Sequence, residues 1–197
     1  MSLMLNSKDP PVIFLDTTVL FGALLTAGVN YKILELARTP ILFIPVISNV
    51  CLFEFWRNAR NGISTNGKVR VFEQTEIDVF FTTMIYPILE HSPSVLKTIM
   101  GRHLNVSTMI RNNEEIGKIL VELSGCSLEK AFDILNEEEM KLPLHHFDEN
   151  DFHVWITALE TNCNFIVSDN KKRFPSNIGK LKRINAIDFF NILSKKF

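Results

Sequence analysis

Short apolar runs alternate with helical patterns from Val12 to Gly62. Two continuous apolar runs, Val12–Leu15 and Ile41–Ile44 before Pro45, predict buried strands, because the strands of a parallel sheet are covered on both faces. Apolar residues at helical spacing predict helices over Thr17–Leu25, Tyr31–Arg38 and Ser48–Arg60, the last with Ser48 as N-cap and Asn61-Gly62 as its end. This strand–helix alternation favours a parallel sheet with right-handed crossovers.

The middle of the chain, about residues 72–141, carries helical patterns and few strand signals. Four of its segments are amphipathic at helical spacing: EIDVFFTTMIYPIL, SPSVLKTIMGRHL, NNEEIGKILVEL and SLEKAFDILNEEEM. We expect a helical insert or cap here, within a single domain that spans residues 1–197. The apolar helices between Phe72 and Leu123 are candidate partner surfaces, although packing in the core is the commoner use of such helices.

The alternation of strands and helices returns near the end of the chain. Apolar runs predict a short strand at Leu144–Phe147, a buried strand at Asn164–Val167 and an edge strand at Arg183–Asn185. Helical patterns cover Asn150–Glu160 and Ala186–Leu193. Because the strands lie at the two ends of the chain, these ends must meet to form one sheet. The predicted fold is therefore α/β, with three α/β/α layers and a central parallel sheet.

Two of the predicted strands end at an aspartate. Asp16 follows the first strand in FLDTTVL, and Asp169 ends the stretch NFIVSD. Ligands of open α/β sheets bind outside the carboxyl ends of the strands, so both acids are candidates for one site. Other interpretations stay open, namely Asp16 as the N-cap of the next helix and Asp169 as a turn residue.

Further acids lie in or beside helices. Glu54 shares a helix face with apolar residues, where an unpaired carboxylate is costly to bury. It is therefore a site residue, an ion-pair partner of Arg57, or a residue at the margin of the core. Asp148 is placed as the N-cap of the next helix and Asp151 at its third position, as in a capping box. Both acids can serve the helix terminus alone. If one caps and the other faces the site, we favour Asp151 for the site.

Together these acids predict a site for a hard cation. Several close carboxylates cannot all stay ionised without a cation, and oxygen ligands without a Cys or His cluster select Mg²⁺ or Mn²⁺. The chemistry indicated is metal-assisted attack of water on a phosphodiester, with ions ~3.5–4 Å apart if two are bound. The three cysteines form no CxxC motif, which gives no zinc signature and fits a reducing, cytoplasmic compartment.

The overall charge sets a condition on nucleic-acid binding. The formal net charge is -1, whereas nucleic-acid binders are often basic, so binding must depend on local patches or on metal ions. The candidate basic residues for RNA are Arg57, Arg60, Lys171, Lys172 and Arg173, with an ordinary solvated surface as the alternative. Acidic residues interrupt the most apolar stretches, so we expect neither a membrane span nor a signal peptide.

Four motifs together resemble the PIN domain, most closely the branch that includes VapC-type toxins of bacterial toxin–antitoxin pairs: FLDTTVL, the Glu in SNVCLFEFWRN, DENDFHVWITALE and NFIVSDNKKRFP. The resemblance covers about residues 12–62 and 143–193. It implies a Mg²⁺- or Mn²⁺-dependent ribonuclease with a parallel sheet between helices. The implied catalytic and metal-binding acids are Asp16, Glu54, Asp151 and Asp169, with Asp148 as a further candidate.

The resemblance also implies partners, and this chain differs from the family at one position. It implies an RNA substrate, an antitoxin protein and a homodimer, and no membrane. The family usually has Asn two residues after the first Asp, whereas this chain has Thr18, so a hydroxyl replaces an amide beside that acid. Residues expected to hydrogen-bond to the ligands are Thr17, Ser168 and Asn170. The nearby histidines are interpreted as solvated or structural: His145, His146 and His153.

Two other functions fit parts of the sequence. A catalytically silent PIN fold could serve as a module that binds RNA or protein, although the presence of all four acids argues against it. FLDTTVL also resembles the nucleophile strand of aspartyl-phosphate phosphatases of the haloacid type. That chemistry requires a second Asp two residues after the first, where this chain has Thr18.

Overall fold

The computed structural model describes residues 9–65, 67–92, 151–170, 176–178 and 181–195, with a few isolated positions between 112 and 129. In chain order its elements are β1 (Val12–Leu15), α1 (Thr17–Leu25), α2 (Val29–Ala37), β2 (Ile44–Val46), α3 (Asn49–Asn61), β3 (Ile63–Thr65), β4 (Lys68–Arg70), α4 (Gln74–Phe80), a π-helical turn (Phe81–Ile85), α5 (Tyr86–Leu89), α6 (Phe152–Glu160), β5 (Phe165–Val167), β6 (Asn177–Ile178), β7 (Leu181–Ile184) and α7 (Ala186–Ser194).

A five-stranded sheet flanked by helices forms the centre of the fold, in the order β2-β1-β5-β7-β6. The first four strands of this order are parallel, and β6 runs antiparallel to β7. The central strand β1 pairs Ile13 with Phe165 of β5 and with Pro45 of β2. The predicted α/β fold with a central parallel sheet is therefore confirmed, and the two ends of the chain meet in it.

Strand β1 lies in the apolar core, and this explains its continuous hydrophobic run. Its residues Ile13, Phe14 and Leu15 are fully buried, because neighbouring strands cover both edges and helices pack on the sheet. Each such side chain contributes about 1.5–3 kcal/mol when it is removed from water. The strand therefore fixes the position of the residue that follows it, Asp16, at the carboxyl edge of the sheet.

Helix α3 has the boundaries that the sequence predicts. The Ser48 side chain accepts a hydrogen bond from the Cys51 backbone N–H at 3.1 Å, and Gly62 ends the helix with a φ of 112°. A Cβ added at Gly62 would lie 2.5 Å from Cγ1 of Val69, so both the backbone angle and the space require glycine. The buried face of α3 includes Phe55, whose ring stacks on those of two neighbouring phenylalanines.

The second strand differs from its predicted position. The sequence predicts it at Ile41–Ile44, but β2 comprises Ile44–Val46, and Ile41 is exposed. Pro45 lies inside the strand instead of ending it. This is tolerated because β2 is an edge strand, so the missing N–H of proline removes no bond to a further strand.

Differences also occur at the other side of the sheet. The edge strand predicted at Arg183–Asn185 is β7 at Leu181–Ile184, and it is internal, because β6 pairs along its outer side. The β3–β4 hairpin, whose turn contains Gly67 with a φ of 76°, has no clear signal in the sequence. Both β6 and the hairpin strands are too short for a clear apolar alternation.

The segment EIDVFFTTMIYPIL is helical as expected, since α4, the π-helical turn and α5 follow one another there. The other three amphipathic segments of the middle region and the strand predicted at Leu144–Phe147 lie outside the described residues. No single helix in the described ranges has the length and apolar character to cross a membrane. Helices α1 and α2 meet those criteria only as a pair, with a bend of 112° between them.

Candidate active site

Asp16 lies at the carboxyl end of β1 and is 5% exposed. It occupies the N-cap position of α1, but its side chain makes no capping hydrogen bond. Instead Oδ2 accepts hydrogen bonds from Oγ1 of Thr18 at 2.8 Å and from Oγ of Ser168 at 2.7 Å. The capping interpretation therefore does not describe this carboxylate, which two hydroxyl groups hold in place.

The same two hydroxyls tie the end of β5 to Asp16. Oγ1 of Thr18 accepts a hydrogen bond from the backbone N–H of Asp169, and Oγ of Ser168 accepts one from that of Asn170, both at 3.1 Å. The Asp169 side chain is exposed at this edge, and its Oδ1 accepts a hydrogen bond at 3.2 Å from the first N–H of α7. A surface depression of about 390 Å³ opens beside Asp169.

Asp151 joins this group through an amide. Its Oδ2 accepts a hydrogen bond from Nδ2 of Asn170 at 2.8 Å. The sequence placed Asp151 at the third position of a helix begun by Asp148, but α6 begins at Phe152 with Asp151 as its N-cap residue and no capping bond from that side chain. Asp148 lies outside the described residues, so its predicted role stays a prediction.

Glu54 approaches from α3. Its Oε2 accepts a hydrogen bond from Oγ1 of Thr17 at 3.0 Å, and its Oε1 lies 3.5 Å from Nε2 of His153. Burial would raise the pKa of Glu54, but the hydrogen bonds and charge of His153, with smaller contributions from Thr17 and Arg57, lower it below its ordinary value of 4.5. Glu54 is therefore a carboxylate at neutral pH.

His153 is a site neighbour that the sequence did not connect to Glu54. It is 2% exposed, and its Nδ1 lies 3.5 Å from Oγ of Ser48. Burial would lower its pKa, but hydrogen bonds and charge from Cys51 and Glu54 raise it to about 10. The available signal was its place in the first turn of α6, next to the buried residues Val154–Ala158, where a polar side chain requires a partner.

Hydroxyl, amide and backbone groups connect three of the acids, Asp16, Asp169 and Asp151, whereas Glu54 bonds to Thr17, the residue after Asp16. In the described ranges, no three of these four acids bring ligand oxygens within 4.8 Å of one another, whereas Cys51, Glu54 and His153 do. This spacing still fits Mg²⁺, which commonly keeps several waters and takes one or two carboxylates. Asp16 supports the fit, because no described group donates a hydrogen bond to its Oδ1.

The predicted RNA-binding residues divide into two groups. Arg57 and Arg60 are exposed on α3, one and two turns after Glu54. The positive charge of Arg57 lowers the pKa of Glu54, with a smaller effect than His153 has. The other predicted contacts lie outside the described residues: Lys171, Lys172 and Arg173.

Comparisons with known proteins give a likeness in structure alone. No protein-family model matches the chain, and no curated protein matches it. Among solved structures it is similar to a chain in the crystal structure of VapBC2 from Rickettsia felis bound to a DNA fragment from their promoter, with 16% identity and a TM-score of 0.46. The similarity covers 88% of this chain and 98% of that one. A likeness of this extent assigns no function.

Proposed function

We propose that this protein is an endoribonuclease that uses Mg²⁺ or Mn²⁺ to hydrolyse RNA phosphodiester bonds. The observation that carries the proposal is the hydrogen-bond network at the carboxyl edge of the parallel sheet. It links Asp16, the Asp169 backbone and Asp151 through the side chains of Thr18, Ser168 and Asn170. Glu54 is held beside it by a hydrogen bond from Thr17, the residue after Asp16. Acids from four separate elements are thus held at the edge where open α/β sheets bind ligands.

The side chains of the network have distinct tasks in this proposal. One or two of the four acids would bind the ion directly and the others through its bound waters; the ion would supply charge neutralisation at the phosphate and a more acidic bound water. Thr18 and Ser168 fix the orientation of Asp16 through its Oδ2. Asn170 fixes Asp151, and His153 keeps Glu54 ionised. Such supporting bonds set the direction of ligand oxygens, which metal sites require.

The proposal includes partners and a compartment. RNA is the substrate, a protein antitoxin binds the enzyme, the enzyme forms a homodimer, and it acts in the cytoplasm. Exposed apolar side chains in the helical region after Phe72, among them Val79 and Tyr86, supply a surface for a protein partner. Asp148 and the basic residues 171–173 keep their predicted roles as a further ligand and as phosphate contacts.

The first test is cleavage of single-stranded RNA by the purified full chain with Mg²⁺ or Mn²⁺, then with EDTA. The acid-site variant Asp16→Asn/Asp169→Asn is compared with Glu35→Gln, an exposed acid on α2. We expect cleavage that requires metal, is lost in the double variant and persists in Glu35→Gln. Calorimetric titration with Mn²⁺ provides a second readout, because loss of two ligands should weaken binding whether or not a substrate has been found.

The outcomes separate the main proposal from its alternative. Cleavage that persists in EDTA, or in the double variant, contradicts the proposed site. If the folded protein neither cleaves RNA nor binds Mn²⁺, the acids are not a metal site, and a catalytically silent binding module becomes the better description. Metal binding without cleavage of the RNA tested would direct the search to a narrower target sequence.

A further inference from the structure

Helix α3 presents an aromatic and basic face to solvent. Phe53 is followed three, four and seven residues later by Trp56, Arg57 and Arg60, the spacing that places side chains on one side of a helix. Phe53 and Trp56 are 53% and 38% exposed, although both are large apolar side chains. The opposite side of α3 is buried in the core. The exposed rings therefore do not contribute to the core packing of this helix.

An arginine guanidinium group lies over each of the two rings. The guanidinium carbon of Arg57 lies 6.0 Å from the ring centre of Phe53, and that of Arg60 lies 5.3 Å from the ring centre of Trp56. Arg60 also donates a hydrogen bond to Oε1 of Gln74 at 3.1 Å, which limits its freedom. Each guanidinium group thus lies over one face of its ring before any ligand arrives, and this fixed arrangement lowers the entropy lost on binding.

The chemistry of this face fits single-stranded nucleic acid. Aromatic rings and guanidinium planes stack on unpaired bases, and arginines contact phosphates. Both charged side chains of the face are positive, in a chain whose formal net charge is -1. The face also adjoins the acidic site, since Glu54 directly follows Phe53 and precedes Arg57 by three residues. Bases in a duplex cannot reach the rings, because they are already stacked and paired.

We propose that Phe53, Trp56, Arg57 and Arg60 form a stacking platform that binds unpaired bases of single-stranded RNA and directs the strand to the acidic site. This platform is the substrate-binding surface of the proposed nuclease, so the choice of RNA rests on the proposed function. It selects unpaired over paired RNA, because aromatic rings stack on the exposed faces of unpaired bases.

The two tryptophans allow stacking to be observed directly. Trp56 is exposed whereas Trp155 is 2% exposed, and the chain contains no other tryptophan. The full chain is titrated in EDTA with a mixed-sequence 12-nucleotide RNA, and again in Mg²⁺ using Asp16→Asn/Asp169→Asn to prevent cleavage. We expect fluorescence quenching that persists in Trp155→Phe and disappears in Trp56→Leu. The unfolding midpoint of each variant is measured beside it.

Affinity is measured in parallel by anisotropy of a labelled RNA. Phe53→Leu and Trp56→Leu should each weaken binding by about 5- to 150-fold, the range for loss of one base–aromatic stack. Arg60→Gln should reduce the salt slope of binding by about 0.7, the value for one phosphate contact on a single strand. Ile41→Ala is the control, because it removes a large exposed apolar side chain that lies outside α3 and the acidic site, and it should leave binding unchanged.

The platform and the proposed nuclease can fail separately. The platform is wrong if Trp56→Leu binds RNA as the control does, if duplex binds as tightly as single strand, or if neither titration shows binding. Metal-dependent cleavage with an unchanged KM in Trp56→Leu would retain the nuclease and reject the platform. Stacking at Trp56 in a folded protein that neither cleaves RNA nor binds Mn²⁺ would retain the platform and reject the nuclease.

Discussion

The substitution Ser168→Ala tests how much the hydrogen bond from Ser168 to Asp16 contributes to the free energy of unfolding. Ser168 is fully buried, donates to Oδ2 of Asp16 at 2.7 Å and accepts from the Asn170 N–H at 3.1 Å. A hydrogen bond to a charged group contributes about 1.5–3 kcal/mol and a neutral one about 0.5–1.5 kcal/mol. We therefore expect Ser168→Ala to lower the free energy of unfolding by about 2–4 kcal/mol.

The assay is equilibrium unfolding in urea at pH 7, followed by circular dichroism, with thermal unfolding beside it. For a chain of 197 residues, each kcal/mol lowers the Tm by about 2–4 °C, so the expected decrease is about 4–16 °C. Ser64→Ala is the matched control, because Ser64 is exposed in the β3–β4 hairpin and such changes stay within about 0.5 kcal/mol.

A double-mutant cycle with Thr18→Ala measures the coupling between the hydroxyls of Thr18 and Ser168. The Thr18 and Ser168 hydroxyls donate to the same oxygen, so either one can still hold the carboxylate when the other is removed. The double variant leaves a buried charge without these donors and should lose about 0.5–3 kcal/mol more than the sum of the single changes. Additive losses, or a Ser168→Ala variant as stable as its control, would show that the network does not hold Asp16.

Three further changes test other parts of the structure. The pKa of His153 is raised to about 10, so its contribution to stability is complete below its ordinary pKa of 6.5 and is lost as the pH rises through about 10. The pKa of Glu54 is lowered, so its contribution is present above its ordinary pKa of 4.5 and is lost on acidification. The difference in unfolding free energy between the wild type and His153→Gln should accordingly be largest at pH 4.5–6.5 and small at pH 10, as measured by urea unfolding across this range. Gly62→Ala should lower the unfolding free energy by about 1–3 kcal/mol in the same assay, because alanine is strained at that φ and would meet the facing hairpin strand. Phe55→Ala should lower it by about 3–5 kcal/mol, whereas Phe53→Ala on the exposed side of the same helix should change it by less than about 0.5 kcal/mol.

The sequence predicts the elements whose signals are local and strong. The run Val12–Leu15 is apolar on both faces and becomes the central strand, and Ser48 and Gly62 mark the ends of α3. The elements that were misplaced depend on partners distant in the chain. Whether Pro45 ends a strand or lies within it depends on β2 being at the edge of the sheet, and sheet order is not a local property.

The same distinction applies to the candidate site. The positions of Asp16 and Asp169 after apolar runs are visible in the sequence, and so are the nearby hydroxyls and amide. The pairing of Glu54 with His153 is not visible, because the two residues lie on different helices and meet only when α3 and α6 are both in place. Helix spacing shows that Glu54 borders an apolar face, but it does not identify which distant side chain neutralises it there.

The pairing of β1 with β5 sets the order of events during synthesis on the ribosome. The bond from Ser168 to Asp16 joins residues 152 positions apart, so the aspartate emerges long before the hydroxyl that orients it. At about 5–20 residues per second, this interval is roughly 8–30 s. A nascent chain that ends before Phe165 cannot assemble the acidic edge at all. If the proposed nuclease function is correct, cleavage of RNA has to wait until synthesis has passed Ser168.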